Sequence, residues 1–269
     1  MTDGLTEFIR NELASPGFVP PLLPEVSMNV LRCMTKSDLD FHKVAEIILQ
    51  DPLLAARVLR VASSPLYGNQ EITSVVSGLA RLGTKTVRGI ALEYGMSALH
   101  VEAGGGYPEA LRGVVAHCVT TARFTRIVSN AADIRDDSLY TLGLLHDIGI
   151  IAGIAALSQH RERPPLDRNA WQALSSLNTQ ACHLMFEAWE CPQAMVEDLN
   201  DYHSMDCAKP SVCVVRLASE LANQTWAPVY GVFGVDEISQ TLFLASLEGL
   251  GLGESDWTKI RDNVLSKAT

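Results

Sequence analysis

Five residues have the chemistry to bind a metal ion, and four of them are histidines from separate parts of the chain. They are His117, His146, Asp147, His183 and His203. His146 and Asp147 are adjacent in the apolar run GLLHDIGIIAGIAAL, which covers residues 143–157. Imidazole and carboxylate ligands together suit Fe, Mn, Zn or Mg, depending on their number and geometry. The residue types therefore predict a divalent metal site, provided that the fold brings the residues together.

A second interpretation is that these residues are polar side chains hydrogen-bonded inside a core. A single histidine on an apolar helix is more often such a residue than a metal ligand. Neighbouring residues on a helix point about 100° apart, so His146 and Asp147 can face one ion only if other helices bring further ligands to the gap. Spacing along the chain does not decide between the two interpretations.

Helices must position these residues, because apolar positions recur with helical period along most of the chain. In DFHKVAEIILQDP the apolar residues form one helical face, and Asp40 and Asp51 are expected to cap the two helices that follow them. Gly83 is expected to interrupt the helical pattern between residues 74 and 99. Later helices are predicted over residues 109–131, 138–158, 169–177, 179–189, 192–203, 211–224, 236–247 and 256–266. No segment alternates with period two, so the predicted fold class is all-α.

The clearest break in the sequence is HVEAGGGYPEA at residues 100–110, which contains three consecutive glycines and a proline. It predicts a boundary between an N-terminal helical subdomain over residues 1–103 and a second helical subdomain over residues 104–269. The two are expected to pack together.

Composition excludes several classes of protein. The chain has 269 residues, is 47% hydrophobic and carries a net charge of −10. An acidic chain repels phosphate backbones, so nucleic-acid binding is disfavoured as the main activity. The N-terminus lacks a basic segment followed by an apolar one, and no uninterrupted apolar run approaches the ~20 residues of a membrane span. We therefore expect a soluble cytoplasmic protein without a membrane segment. The six cysteines include no CxxC pair and are interpreted as reduced core residues.

Several motifs resemble known families. GLLHDIG, with His117 lying 29 residues before His146, resembles the HD superfamily of metal-dependent phosphohydrolases. PPLLPEVSMNVL, VAEIILQDPLLAARVLRVASSPLYG and ITSVVSGLARLGTKTVRGIAL resemble the HDOD family, the HD-related output domain of bacterial signalling proteins. The similarity runs from about residue 19 to residue 223. It implies a multi-helix HD-like bundle preceded by an HDOD-type helical N-terminal subdomain.

The chain departs from the catalytic HD pattern in its last element. Active HD proteins use a histidine, the His-Asp pair and a final aspartate on a later helix, and His117, His146 and Asp147 match the first three. The final position falls in VVRLASELANQ, where Ser219 stands in place of an aspartate and Glu220 is one residue out of phase. The HHExxDGxGYP signature of cyclic-di-GMP hydrolysis is also absent from the sequence.

Two further histidines fit positions in the family. His183 and His203 match histidine positions of some members, and the resemblance makes both of them candidate metal ligands. Phosphoester hydrolysis would also need a cation at a phosphoryl oxygen. No basic residue near the cluster in sequence is obviously placed for this role, which leaves Arg112 and Arg216 as open candidates.

The resemblance implies a regulatory module that acts by binding a signalling protein, with a nucleotide as a further candidate ligand, rather than by catalysis. Input or output would then come from another chain, and assembly into a homo-oligomer is compatible with such a role. The alternative is a metal-dependent phosphohydrolase acting on a nucleotide or another phosphoester.

Overall fold

The computed structural model describes residues 2–34, 40–68, 70–99, 106–136, 138–191, 193–202, 204, 209–230 and 239–268. Within these ranges the chain forms helices and short turns and contains no β-strand, which confirms the predicted all-α class. The helices are α1 (Thr2–Leu13), α2 (Glu25–Met34), α3 (Phe41–Ile48), α4 (Pro52–Ala62), α5 (Val75–Ala98), α6 (Pro108–Ala131), α7 (Leu139–Leu145), α8 (Ile148–Ser158), α9 (Arg168–Ala188), α10 (Gln193–Asn200), α11 (Pro210–Tyr230), α12 (Gln240–Gly249) and α13 (Glu254–Ala268).

The smaller core lies between α2, α3, α4 and the first part of α5. Asp40 caps α3 by accepting from the N–H groups of the first turn, and Asp51 caps α4 in the same way, as their sequence context predicts. Gly83 interrupts α5 with φ 74° and ψ 166°, a conformation that L side chains rarely adopt. The buried residues of this core include Val44, Ile48 and Leu79.

The larger core surrounds α8 and is built from α1, α6, α7 and α9. It also takes residues from the N-terminal part of the chain, among them Ile9 of α1, Met28 of α2 and Met96 of α5. The two predicted subdomains therefore share one interior, although the glycine-rich break between them lies largely outside the described residues. A third cluster joins α11 to α12 and α13 around Leu217, Leu247 and Trp257.

The segment around the His-Asp pair differs from the sequence prediction. One continuous helix is predicted over residues 138–158, but the structure has two helices, α7 and α8, that meet at His146 and Asp147. The combined stretch Leu139–Ser158 is long and apolar enough to cross a membrane, yet 89% of its most apolar window is buried inside the protein. This stretch therefore lies in the core of the protein.

Five of the six cysteines lie in the described residues, and none of these five forms a disulfide there. Cys118, Cys182 and Cys213 are buried, whereas Cys33 and Cys191 are partly exposed. Cys207 lies outside the described residues.

Candidate metal centre

Three of the five predicted ligands meet between α6 and the junction of α7 with α8. His117 lies in the middle of α6, and its Nε2 is 3.2 Å from Nε2 of His146. Oδ2 of Asp147 is 3.3 Å from Nε2 of His146 and 3.7 Å from Nε2 of His117. The fold therefore brings two imidazole nitrogens and one carboxylate oxygen to a common point.

The break between α7 and α8 explains how neighbouring residues can face the same point. His146 is the C-cap of α7, while Asp147 has φ −119° and ψ 16° and precedes the first residue of α8. The angle of about 100° between successive side chains applies only inside a regular helix. The departure from helical geometry at Asp147 turns its carboxylate back towards the imidazole of His146.

A backbone hydrogen bond fixes the tautomer of His146. Its Nδ1 is 2.8 Å from the carbonyl oxygen of Gly143, which can only accept, so Nδ1 carries the proton. In the neutral ring the lone pair is then on Nε2, which faces His117 and Asp147. This is the arrangement in which metal-binding histidines are commonly held.

The spacing of the three atoms fits a transition-metal ion. Their pairwise distances of 3.2, 3.3 and 3.7 Å define a triangle. Its corners are all about 2.0 Å from one central point, close to the ~2.0–2.2 Å of zinc–nitrogen and zinc–oxygen bonds. The same distances also suit a hydrogen-bond network, so the donor set fits a metal without requiring one.

The cluster is almost closed to solvent. The side chains of His146 and Asp147 are 0% exposed and that of His117 is 9% exposed. Burial lowers the pKa of His117 to about 4, because the charged imidazolium loses its hydration there. His117 is therefore neutral near pH 7, which is the protonation state that a metal ligand needs.

The fourth position around the cluster holds a hydroxyl group. Ser219 of α11 is 0% exposed, and its Oγ is 3.2 Å from Nε2 of His117. Thr121 is also buried and places its Oγ1 3.4 Å from the same nitrogen. Glu220 accepts a hydrogen bond from Gln224 on the next turn of α11. The residue of α11 that contacts His117 is therefore a serine, which is a poor metal ligand unless deprotonated.

Of the other two predicted ligands, only His183 lies in the described residues, and it is not part of this cluster. His183 lies on the exposed face of α9, and the residue of that turn that reaches the His-Asp junction is its neighbour Cys182. His183 is one residue further along α9 than Cys182, so its side chain is rotated by about 100° away from the core. His203 lies outside the described residues.

Sequence reasoning missed Asn178, which holds the His-Asp junction in place. Its Nδ2 donates to Oδ1 of Asp147 at 2.9 Å and to the carbonyl oxygen of His146 at 3.0 Å. Oδ1 of Asp147 is thereby occupied, and Oδ2 is the oxygen turned towards the histidines. The sequence predicted two helices meeting at residue 178, but α9 runs through it and buries the side chain. The signal available in the sequence was an asparagine four residues before a cysteine, among the apolar positions of a helical pattern.

Gly149 allows α8 to approach α9 closely enough for these contacts. A Cβ at this position would lie 2.1 Å from the backbone oxygen of Asn178 and 2.5 Å from its Oδ1. The N–H of Gly149 donates to Sγ of Cys182 at 3.2 Å. The glycine of the His-Asp-x-Gly sequence thus has a packing role.

Arg216, a candidate for phosphate binding, is used inside the fold. Its guanidinium is buried and donates to the carbonyl oxygens of Asp201, Tyr202 and Ser204, which follow α10. These bonds hold the turn that places the ring of Tyr202 5.4 Å from that of His146. The other candidate, Arg112, pairs with Glu109 at the surface.

Comparisons with known proteins agree with this architecture. The family model for the HDOD domain matches residues 21–205. A proposed metal-dependent phosphohydrolase from Shewanella amazonensis SB2B superposes with a TM-score of 0.69 at 19% identity, with 95% of this chain and 99% of that chain covered. An HDOD domain protein of unknown function from Geobacter sulfurreducens gives 0.58 at 18% identity, with 98% of each chain covered.

A proposed signal transduction protein from Marinobacter aquaeolei VT8 gives a TM-score of 0.57 at 17% identity, with 99% of this chain and 64% of that chain covered. At these identities the likeness shows a common fold. A search of curated proteins found no match. The family match covers more than half of the chain and includes the His-Asp junction, and the chain belongs to the HDOD family.

Proposed function

We propose that the chain is a non-catalytic signal-transduction module of the bacterial cytoplasm, which acts by binding a protein partner. The observation that carries the proposal is the buried hydroxyl of Ser219 beside His117, where a catalytic HD site needs a carboxylate. Two histidines and one aspartate remain from the inherited site. The module would signal through a change of conformation rather than through a product.

The closure of the site supports a role without turnover. Phosphoester hydrolysis requires room for the substrate, an activated water and a positive group at the phosphoryl oxygen. The largest side-chain exposure among His117, His146 and Asp147 is 9%. The guanidinium of Arg216 is already engaged with three backbone carbonyls, so it is not aimed at a substrate.

Under the same proposal the cluster holds one divalent ion. His117, His146 and Asp147 would be its protein ligands, and two imidazoles favour Mn, Fe or Zn over Mg. The ion would supply a fixed positive charge that ties α6 to the junction of α7 and α8. Asn178 would keep Oδ2 of Asp147 turned towards it, and Gly143 would keep Nδ1 of His146 protonated.

The second candidate is a metal-dependent phosphohydrolase acting on a nucleotide or another phosphoester. The observation that favours it is the intact group of His117, His146 and Asp147. The Shewanella amazonensis protein of similar fold is described as a proposed metal-dependent phosphohydrolase. Nucleic acid is a weaker candidate ligand because the chain carries a net charge of −10.

Metal analysis and a hydrolysis assay separate the two candidates. Purified protein, loaded with Mn²⁺ or Zn²⁺, is compared with Asp147→Ala for metal content and for activity on a panel of nucleotides and phosphodiesters. We expect up to one ion per chain in the wild type, loss of that ion in the variant, and no metal-dependent hydrolysis by either. Hydrolysis that needs the metal and disappears in Asp147→Ala would overturn the signalling proposal.

A further inference from the structure

A buried carboxylate joins the N-terminal core to the helices that carry the candidate metal centre. Glu93 of α5 is 5% exposed. It accepts hydrogen bonds from Arg57 of α4, from Tyr140 of α7 and, at 3.3 Å, from Arg123 of α6. We refer to these four residues as the Glu93 junction.

Contacts with Glu93 and Gly89 fix the position of the Tyr140 side chain. Both arginines share Oε1 of Glu93, while the hydroxyl of Tyr140 donates to Oε2. A buried carboxylate needs such partners to offset its lost hydration, so the loss of any one of them is costly. Gly89, one turn before Glu93, has no side chain where the ring of Tyr140 packs, and a Cβ there would lie 2.8 Å from Cδ1 of that ring.

Helix α7 connects this junction directly to the metal centre. It contains seven residues, with Tyr140 near its start and His146 as its C-cap. Six residues of helix span about 9 Å. Between the two ends lies Gly143, whose carbonyl oxygen accepts from Nδ1 of His146. A Cβ on Gly143 would lie 2.8 Å from Cα of Ala122, so α7 is pressed directly against α6.

From these contacts we infer that α7 couples the state of the His117–His146–Asp147 cluster to the N-terminal core through the bond between Tyr140 and Glu93. The inference rests on the proposed signalling function and names the contacts through which a change at the cluster would reach the N-terminal core. A displacement of His146 moves the start of the same short helix, and the hydroxyl of Tyr140 passes it to Glu93 and Arg57. Because such coupling is reciprocal, a change at Arg57 must also reach the His-Asp junction.

The first test removes only the linking hydroxyl. Tyr140→Phe is compared with Tyr107→Phe, which removes a hydroxyl that donates to the Pro164 carbonyl oxygen at 2.7 Å, away from the junction. Backbone hydrogen exchange is measured with and without Mn²⁺. In wild type and Tyr107→Phe we expect Mn²⁺ to slow exchange in both residues 143–150 and residues 86–96. In Tyr140→Phe the response of residues 86–96 should fall at least threefold, with residues 143–150 still protected.

The second test needs no metal, so it separates failure of the coupling from failure of the proposed metal site. Arg57→Gln is compared in metal-free protein with Arg60→Gln, a change at an exposed arginine on the same helix. Arg57→Gln should raise exchange at residues 146–150 at least threefold, whereas Arg60→Gln should not. Faster exchange confined to α4 and α5, or an unchanged Mn²⁺ response of residues 86–96 in Tyr140→Phe, would overturn the inference. Absence of any Mn²⁺ binding would contradict only the metal proposal, and the result with Arg57→Gln would then decide.

Discussion

Replacing Ser219 by aspartate should destabilise the metal-free protein, and a bound metal ion should largely reverse that loss. Ser219 is fully buried, and its hydroxyl is 3.2 Å from Nε2 of His117. The new carboxylate would share this space with Asp147, whose Oδ2 is 3.7 Å from the same nitrogen. Two carboxylates about 5 Å apart repel each other by ~3 kcal/mol at an effective dielectric constant of about 20.

Without metal, this repulsion should lower the unfolding free energy of Ser219→Asp by about 2–3 kcal/mol. The loss is smaller than the full repulsion because protonation of His117 or of one carboxyl group relieves part of it. That loss corresponds to a decrease in Tm of roughly 4–12 °C in a protein of this size. With metal, the added carboxylate becomes a fourth ligand. An ion present at about 100 times its dissociation constant stabilises the folded state by ~2.7 kcal/mol, so the loss should be largely recovered.

The assay is thermal unfolding of metal-free protein, with Mn²⁺ then titrated into it. Ser246→Asp is the matched control, since Ser246 is also 0% exposed but lies on α12, outside the His117–His146–Asp147 cluster. Both variants should be destabilised, and only Ser219→Asp should be rescued by Mn²⁺ beyond the wild-type response. If Mn²⁺ raises the Tm of Ser219→Asp no more than that of the wild type, Ser219 does not occupy a ligand position.

Three further predictions follow from the same site. Gly149→Ala should lower the unfolding free energy measured in urea by about 2–4 kcal/mol, because the new methyl group overlaps the backbone of Asn178. The control Gly4→Ala, with open space around Gly4, should not be destabilising. Equal stability of the two variants would contradict the close packing of α8 on α9. The pKa of His117 is about 4 in the folded protein against 6.5 when unfolded, so the unfolded chain binds the proton first as the pH falls. The unfolding free energy of metal-free protein should therefore decrease by about 3 kcal/mol between pH 6.5 and pH 4. A variant His117→Gln with the same pH dependence would refute this assignment. Asn178→Ala should weaken Mn²⁺ binding by about 10- to 100-fold in calorimetric titration, because Asp147 loses the donor that orients it; unchanged affinity would show that this orientation is unimportant.

Local signals in the sequence predicted much of the architecture. The caps at Asp40 and Asp51 and the interruption at Gly83 depend on short-range chemistry, and the structure has all three. The meeting of His117 with His146 and Asp147 was a hypothesis from residue type and family resemblance. Its geometry depends on the packing of α6 against α7, which spacing along the chain does not reveal.

Other features depended on contacts that a single sequence does not display. Apolar residues continue on both sides of His146 and Asp147 through residues 143–157, and no proline or turn motif marked the helix break at Asp147. Asn178 is a residue type that often ends helices, and the sequence prediction therefore split α9 there. Glu93 stands out as an acidic residue in an apolar stretch, but its three partners come from three other helices.

A single-turnover assay tests the central claim of a non-catalytic module most directly. Wild-type protein saturated with Mn²⁺ is incubated in molar excess over each phosphoester, and product is followed over hours beside Asp147→Ala at equal concentration. The proposed signalling function predicts that the two proteins release product at the same background rate. Metal-dependent product release by the wild type, at least tenfold faster than by Asp147→Ala, would contradict it and identify the buried cluster as a working hydrolase site.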